Sequence, residues 1–145
     1  MTKLEIISKI NNCYASIEKA YTNYAKCVGL SNTLELEILE LIYTSQKAYT
    51  QKEIVKIKSC SKQILNLIIK SFWESGYVEL KESKDRRNKE IFLTEKGYEY
   101  AKKIIDESSL STAKVLDNFS VEELERFLET FSKYEKAITR ALSNE

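Results

Sequence analysis

The sequence predicts a mainly α-helical domain with one small β-hairpin, and three observations support this. Long stretches repeat apolar residues every three or four positions, which is the spacing of one helix face. After Gly76 the apolar spacing changes to two, the spacing of strands. The chain of 145 residues contains no proline, so nothing in it breaks a long helix. We expect six helices and a hairpin in one folding unit.

The first predicted helix ends at Gly29 and has a long apolar stripe. Such a stripe packs either on its own domain or against a second copy of the chain, and the spacing leaves both open. The stripe consists of Ile7, Ile10, Tyr14, Ile17, Tyr21, Tyr24 and Val28.

Three shorter helices are predicted next. Residues 34–42 have helical spacing, and residues 50–53 form a capping box that begins a third helix. Ser61 can cap a fourth helix, which Gly76 ends. Because only residues 58–60 separate the third helix from the fourth, the pair is predicted to be a helix-turn-helix. The expected buried stripe of the fourth helix is Leu65, Ile68, Ile69 and Phe72.

Two strands and two further helices complete the prediction. Val78 and Leu80 alternate with charged residues, and a second alternating stretch covers residues 90–93. The loop between these strands carries four basic residues within six positions, so it should project into solvent as a wing. Thr94 and Ser120 can cap the fifth and sixth helices, and the sixth has a wide aromatic stripe.

Composition argues against an enzyme. The chain has no histidine, the commonest general base near neutral pH and the commonest transition-metal ligand. Its three glycines are isolated and form no phosphate-binding loop, and its three cysteines form no C-x-x-C pair. We expect neither catalysis nor a metal or cofactor. The sequence has no run of about 18 apolar residues and no secretion signal, so we expect a cytoplasmic protein without membrane contact.

Charge is unevenly distributed along the chain, although the net charge is only +1. Residues 47–103 contain 14 basic and eight acidic residues, a net +6. Residues 1–46 have four lysines against five glutamates, and residues 104–145 have five basic against nine acidic residues. A positive surface attracts the phosphate backbone of nucleic acids and releases its counterions. If the protein binds double-stranded DNA, the middle of the chain is expected to contact it.

The wing carries a recognisable motif. Residues 85–97 read DRRNKEIFLTEKG, which resembles the D-x-R-x-x-x-hydrophobic-x-L-T-x-x-G signature of the MarR family of winged helix-turn-helix transcriptional regulators. Helix order and chain length are also similar to that family, so the resemblance covers nearly the whole chain. It implies that Arg87 enters the minor groove of DNA and that Asp85 braces this arginine. It also implies an intertwined homodimer in which residues 1–31 and 101–145 dimerise and residues 32–100 form the DNA-binding lobe.

The residue types of the wing and the fourth helix fit this interpretation independently. Adjacent arginines suit a narrow, electronegative minor groove, while glutamine and asparagine can read adenine and leucine can contact a thymine methyl group. A plain solvated charged hairpin remains the alternative for the wing, and an ordinary amphipathic helix with exposed amides remains the alternative for the fourth helix. Trp73 is expected to be a partly buried anchor. The predicted DNA contacts are Ser61, Lys62, Gln63, Asn66, Leu67, Lys70, Lys84, Arg86, Arg87 and Lys89.

The predicted function is a transcriptional regulator, in the first place a repressor, whose dimer binds a palindromic operator. A small ligand or thiol oxidation could release it from DNA. The alternative is a winged-helix protein-interaction module without direct DNA binding, which would use the apolar face around Ile64 and Leu67.

Two groups of residues are candidates for regulation. The segment around Cys13 resembles that of thiol-sensing MarR members and of the staphylococcal accessory regulators, and oxidation of Cys60 would disturb the fourth helix directly. Free cysteine is, however, usually just a small buried hydrophobe. A pocket for a planar apolar ligand could be lined by aromatic residues that would serve equally well as core. These are Tyr14, Tyr21, Tyr24, Phe127 and Phe131.

Overall fold

The computed structural model describes residues 1–143, which form six helices and one small sheet. The predicted mainly α-helical fold, with six helices and a wing hairpin, is confirmed. The helices are α1 (Lys3–Cys27), α2 (Thr33–Thr44), α3 (Gln51–Lys58), α4 (Lys62–Glu74), α5 (Glu95–Leu116) and α6 (Val121–Leu142). The strands are β1 (Tyr49–Thr50), β2 (Val78–Glu82) and β3 (Lys89–Leu93).

Side-chain caps begin the helices where the sequence predicts them. The hydroxyl oxygen of Thr50 accepts a hydrogen bond from the backbone N–H of Glu53 at 3.2 Å, and the Glu53 carboxylate accepts one from the Thr50 N–H at 3.4 Å. Ser120 and Glu123 form the same capping box at the start of α6, and Ser61 caps α4. Each cap is worth about 1 kcal/mol to its helix.

The sheet has a third strand that the sequence did not predict. Both strand pairs are antiparallel, and the order is β1-β3-β2. Tyr49 lies opposite Ile91, and Thr50 lies opposite Glu90. A strand of two residues is too short to show alternation. Its pairing matters because Thr50 is also the cap of α3, so β1 holds the start of α3 beside the wing strand β3.

Residues 1–105 form one compact unit with a single core. All four residues of the predicted α4 stripe are buried, together with Ile38 and Leu39 of α2, Ile54 of α3 and Ile91 of β3. The end of α1 also belongs to this core through Ala25. The hydroxyl of Tyr24 donates a hydrogen bond to the carbonyl oxygen of Ile104 at 2.6 Å, which links α1 to α5.

A second compact unit begins at Asp106 and contains the rest of α5 and α6. No residue of α6 is buried within the chain. The rings of Phe127 and Phe131 in its aromatic stripe nevertheless stack on each other, and their centroids lie 5.3 Å apart. The division into a DNA-binding lobe of residues 32–100 and dimerisation segments of residues 1–31 and 101–145 stays a prediction. The last two residues of the predicted dimerisation segment, Asn144 and Glu145, lie outside the described residues.

Thr94 joins the base of the wing to α5. Its backbone N–H donates to the carbonyl oxygen of Tyr77 at 3.0 Å, and its hydroxyl donates to the carbonyl oxygen of Gly76 at 2.6 Å. The same hydroxyl oxygen accepts from the N–H of Gly97 at 2.9 Å, which confirms the predicted cap. The residue between the wing and α5 thus contacts the turn that precedes β2.

The turn between α3 and α4 is strained at Ser59. This residue has φ 49° and ψ 39°, in the left-handed region that costs a residue with a Cβ about 1–2 kcal/mol. Replacing Ser59 with glycine is expected to raise the free energy of unfolding by about 0.5–1 kcal/mol, because glycine adopts this conformation without strain but has more freedom to lose on folding. Urea unfolding followed by circular dichroism measures the change. Ser59→Ala keeps the Cβ and should gain nothing, and a glycine variant less stable than the parent would contradict the strain.

Candidate nucleic-acid interface

Asp85 shapes the tip of the wing. One of its carboxylate oxygens accepts from the backbone N–H of Arg87 at 3.1 Å, and the other accepts from the side-chain amide of Asn88 at 2.9 Å. The Arg87 N–H first, and then the Asn88 amide, lower the pKa of the Asp85 carboxyl below its ordinary value. Asp85 is therefore ionised at neutral pH and holds the turn closed.

Asp85 contacts Arg87 through the backbone. The resemblance implies that the carboxylate braces the arginine at position 87, and here it accepts a hydrogen bond from the backbone N–H of Arg87. A bracing role toward the Arg87 side chain stays a prediction. No ion pair joins Asp85 to either wing arginine within residues 1–143. The short side chain of an aspartate can accept a hydrogen bond from the backbone N–H two residues later, and this bond closes a turn. The side chains of Arg86 and Arg87 are both exposed.

Helix α4 presents all of its predicted contact residues to solvent. Lys62, Gln63, Asn66, Leu67 and Lys70 are exposed, on the side of the helix opposite its buried stripe. Ser61 is exposed too, but its hydroxyl oxygen accepts from the backbone N–H of Ile64 at 3.1 Å. Its side chain thus begins the helix and offers its remaining hydrogen-bonding capacity to solvent.

A groove of about 480 Å³ separates α4 from the wing, and we call it the wing groove. It brings together four of the predicted residues, Lys62 and Asn66 from α4 with Arg87 and Lys89 from the wing. Its lining contains four cationic side chains and no carboxylate. The whole lining is Gln51, Lys52, Val55, Lys62, Asn66, Leu80, Arg87, Asn88 and Lys89.

Five of the nine residues that line the wing groove were not predicted as DNA contacts, and three of the five come from α3. Gln51, Lys52 and Val55 all come from α3, which the sequence identifies only as the helix before α4. Their place follows from the unpredicted pairing of β1 with β3, which holds the start of α3 beside the wing. The basic excess of residues 47–103 includes Lys52 and was the only available signal.

A second, shallower depression lies along α4, and we call it the helix depression. It contains Gln63, Leu67 and Lys70 together with Trp73, which is 57% exposed. Trp73 was expected to be partly buried, and more than half of it is exposed. Leu65, Ile68, Ile69 and Phe72 already fill the side of α4 that faces the core, so Trp73 falls on the solvent side, one turn after Lys70.

The remaining predicted residues lie elsewhere. Lys84 and Arg86 are exposed on the wing but line neither the wing groove nor the helix depression. Cys13 is exposed on α1, whereas Cys60 is half-buried and packs against the core. Their redox role stays a prediction.

The aromatic residues proposed as a ligand pocket have different environments. Tyr14 and Tyr21 are about half exposed on α1, and Tyr24 packs against the core of the first unit. Phe127 and Phe131 stack on each other in the second unit. The pocket stays a prediction. No helix within residues 1–143 is long and apolar enough to cross a membrane.

Several solved structures have a fold similar to that of this chain. A MarR family regulator from Neisseria meningitidis is 22% identical, with a TM-score of 0.76 over 98% of this chain and 97% of that one. FabT of Streptococcus pneumoniae, solved in complex with DNA, is 15% identical, with a TM-score of 0.76 over 97% and 99% of the two chains. MepR of Staphylococcus aureus, solved as a DNA complex, is 15% identical, with a TM-score of 0.73 over 94% and 98%. No protein-family model and no curated protein sequence matches. The chain has the winged-helix fold of these regulators.

Proposed function

We propose that the protein is a DNA-binding transcriptional regulator of the MarR type that acts as a dimer and catalyses no reaction. The observation that carries the proposal is the wing groove, where Lys52, Lys62, Arg87 and Lys89 converge without a carboxylate. Four cations in one concave surface repel one another, and the phosphates of DNA would neutralise them.

The shape of the surface suits a duplex. An exposed helix such as α4 fits the major groove, and the wing lies beside it across the wing groove. The wing arginines would reach the adjacent minor groove, whose negative potential favours guanidinium groups. FabT and MepR, which share the fold, were solved in complex with DNA, and this supports DNA as the partner.

Apolar side chains left in water support the dimer. On α1, Tyr14, Ile17 and Tyr21 are each about half exposed and lie on one stripe. On α6, Phe127 is 63% exposed and Leu128 is 66% exposed. Rows of exposed apolar residues on long helices are typical of inter-subunit contacts. A twofold dimer would present two copies of α4 and hence bind a palindromic operator.

The proposed function includes repression of transcription and its release. A dimer seated on an operator would act as a repressor by excluding the transcription machinery. A planar apolar ligand near the α1 tyrosines, or oxidation of Cys13 or Cys60, would release it if that change favoured a different spacing of the two α4 helices.

A second candidate is a winged-helix module that binds another protein. Ile64, Leu67 and Trp73 are all exposed on α4, which favours this alternative. An apolar protein partner would, however, bring no negative charge to the cationic lining of the wing groove. Association of that kind would be nearly independent of salt, so salt dependence separates the two functions.

DNA affinity is expected to fall steeply with salt. If the four wing-groove cations of each protomer neutralise one phosphate each, a dimer neutralises eight, and the slope of log K against log salt is about −7. Fluorescence anisotropy with genomic DNA fragments between ~50 and ~200 mM salt measures this slope. Lys52→Ala removes two cations per dimer and should make this slope shallower by about 2. A failure to bind DNA at the lowest salt, or a slope near zero, would refute the proposal.

A further inference from the structure

An aliphatic side chain occupies the centre of the exposed face of α4. Leu67 is 68% exposed, whereas its neighbour Ile68 is only 4% exposed. Leu67 lies four residues after Gln63 and three before Lys70, so these side chains share one line along the helix. If α4 enters the major groove as proposed above, Leu67 therefore faces the base edges rather than the backbone.

The polar residues around Leu67 are poor readers of guanine. Helix α4 contains no arginine, the residue that most often binds guanine bidentately. The ammonium of Lys70 forms a long, exposed ion pair with the carboxylate of Glu74, at 3.9 Å. Gln63 and Asn66, in contrast, carry the amide that pairs bidentately with adenine. The set as a whole matches A·T pairs, whose thymine presents a 5-methyl group in the major groove.

We propose, on the basis of the DNA-binding function above, that Leu67 reads the 5-methyl group of thymine and makes each operator half-site A·T-rich. DNA is favoured over an apolar protein as the occupant of this face because the face adjoins the wing groove, which Lys62 lines together with three other cationic residues and no carboxylate. Contact between Leu67 and a thymine methyl group removes both from water. Loss of one such buried methyl group weakens binding about fourfold.

The experiment replaces thymine with deoxyuridine, which lacks only the methyl group. The full-length protein first selects its preferred duplex from a randomised library, and that duplex is then remade with deoxyuridine in the half-sites. Anisotropy titrations should show an A·T-rich half-site and a loss of about fourfold for each contacted thymine. Leu67→Ala should bind the thymine and deoxyuridine duplexes equally well. Its salt slope should equal that of the parent, because phosphate contacts remain.

Ile57→Ala provides the matched control. Ile57 is 49% exposed on the neighbouring helix α3 but lines neither the wing groove nor the helix depression, so this variant should keep the full preference for thymine. The proposal is overturned if the selected half-site is rich in G·C pairs, or if Leu67→Ala still distinguishes the two duplexes. Both outcomes leave DNA binding intact. Selection of no duplex at all would instead refute the proposed function, and the apolar face of α4 would then belong to a protein partner.

Discussion

Replacing Arg87 with alanine is expected to weaken DNA binding by about 1–3 kcal/mol, which is about 5- to 150-fold in Kd. Arg87 is the wing arginine that lines the wing groove, together with Lys62 and Lys89. A guanidinium is more easily desolvated than an ammonium and can donate to two acceptors at once, so its loss in a narrow minor groove is costly. Anisotropy titration of the selected duplex at fixed salt measures the effect.

The variant should remain folded, which makes the measurement interpretable. The turn depends on the backbone N–H of Arg87, which alanine retains, and the Arg87 side chain is exposed. Arg86→Ala is expected to cost less, since Arg86 does not line the wing groove. Arg126→Ala removes an exposed arginine from α6 and should leave Kd unchanged. If Arg87→Ala binds as tightly as the parent, the wing does not contact DNA as proposed.

The features that the sequence predicted are those with local causes. The capping boxes at Thr50 and Ser120 involve residues three positions apart, and the α4 stripe follows from helical spacing. The wing hairpin combines period-two alternation with a loop too charged for burial. In each case one short segment contains all the information needed. The exposed arginines of the wing follow from the same segment.

The features that the sequence did not predict depend on contacts between distant segments. Strand β1 has only two residues and is defined by its partner β3, about 40 positions later. The pairing of β1 with β3 determines where the α3 residues of the wing groove lie. Trp73 illustrates another limit, because an apolar residue next to a buried stripe gives no sign of whether the core has room for it. Periodicity likewise could not decide what covers the α1 stripe.

At position 97, helix propensity favours alanine, whereas packing requires glycine. It is buried in the first turn of α5, directly against the backbone that precedes β2. A Cβ added at this position would lie 1.8 Å from the carbonyl oxygen of Tyr77 and 2.6 Å from its carbonyl carbon. The atoms it meets are backbone, and the carbonyl oxygen of Tyr77 is itself held by a hydrogen bond from the backbone N–H of Thr94. No side-chain rotation can relieve the overlap, so α5 and the base of the wing must separate.

Gly97→Ala is therefore expected to lower the free energy of unfolding by about 1–3 kcal/mol and Tm by about 4–10 °C. This stability change is opposite in sign to that at an ordinary helical glycine, where replacement with alanine stabilises the protein by about 1 kcal/mol. Thermal unfolding followed by circular dichroism measures the change. Ser109→Ala, at an exposed position of the same helix, should leave Tm unchanged or slightly higher. A Gly97→Ala protein as stable as the parent would mean that α5 does not approach Tyr77 this closely, and that the wing is not held against α5 by the Thr94 contacts.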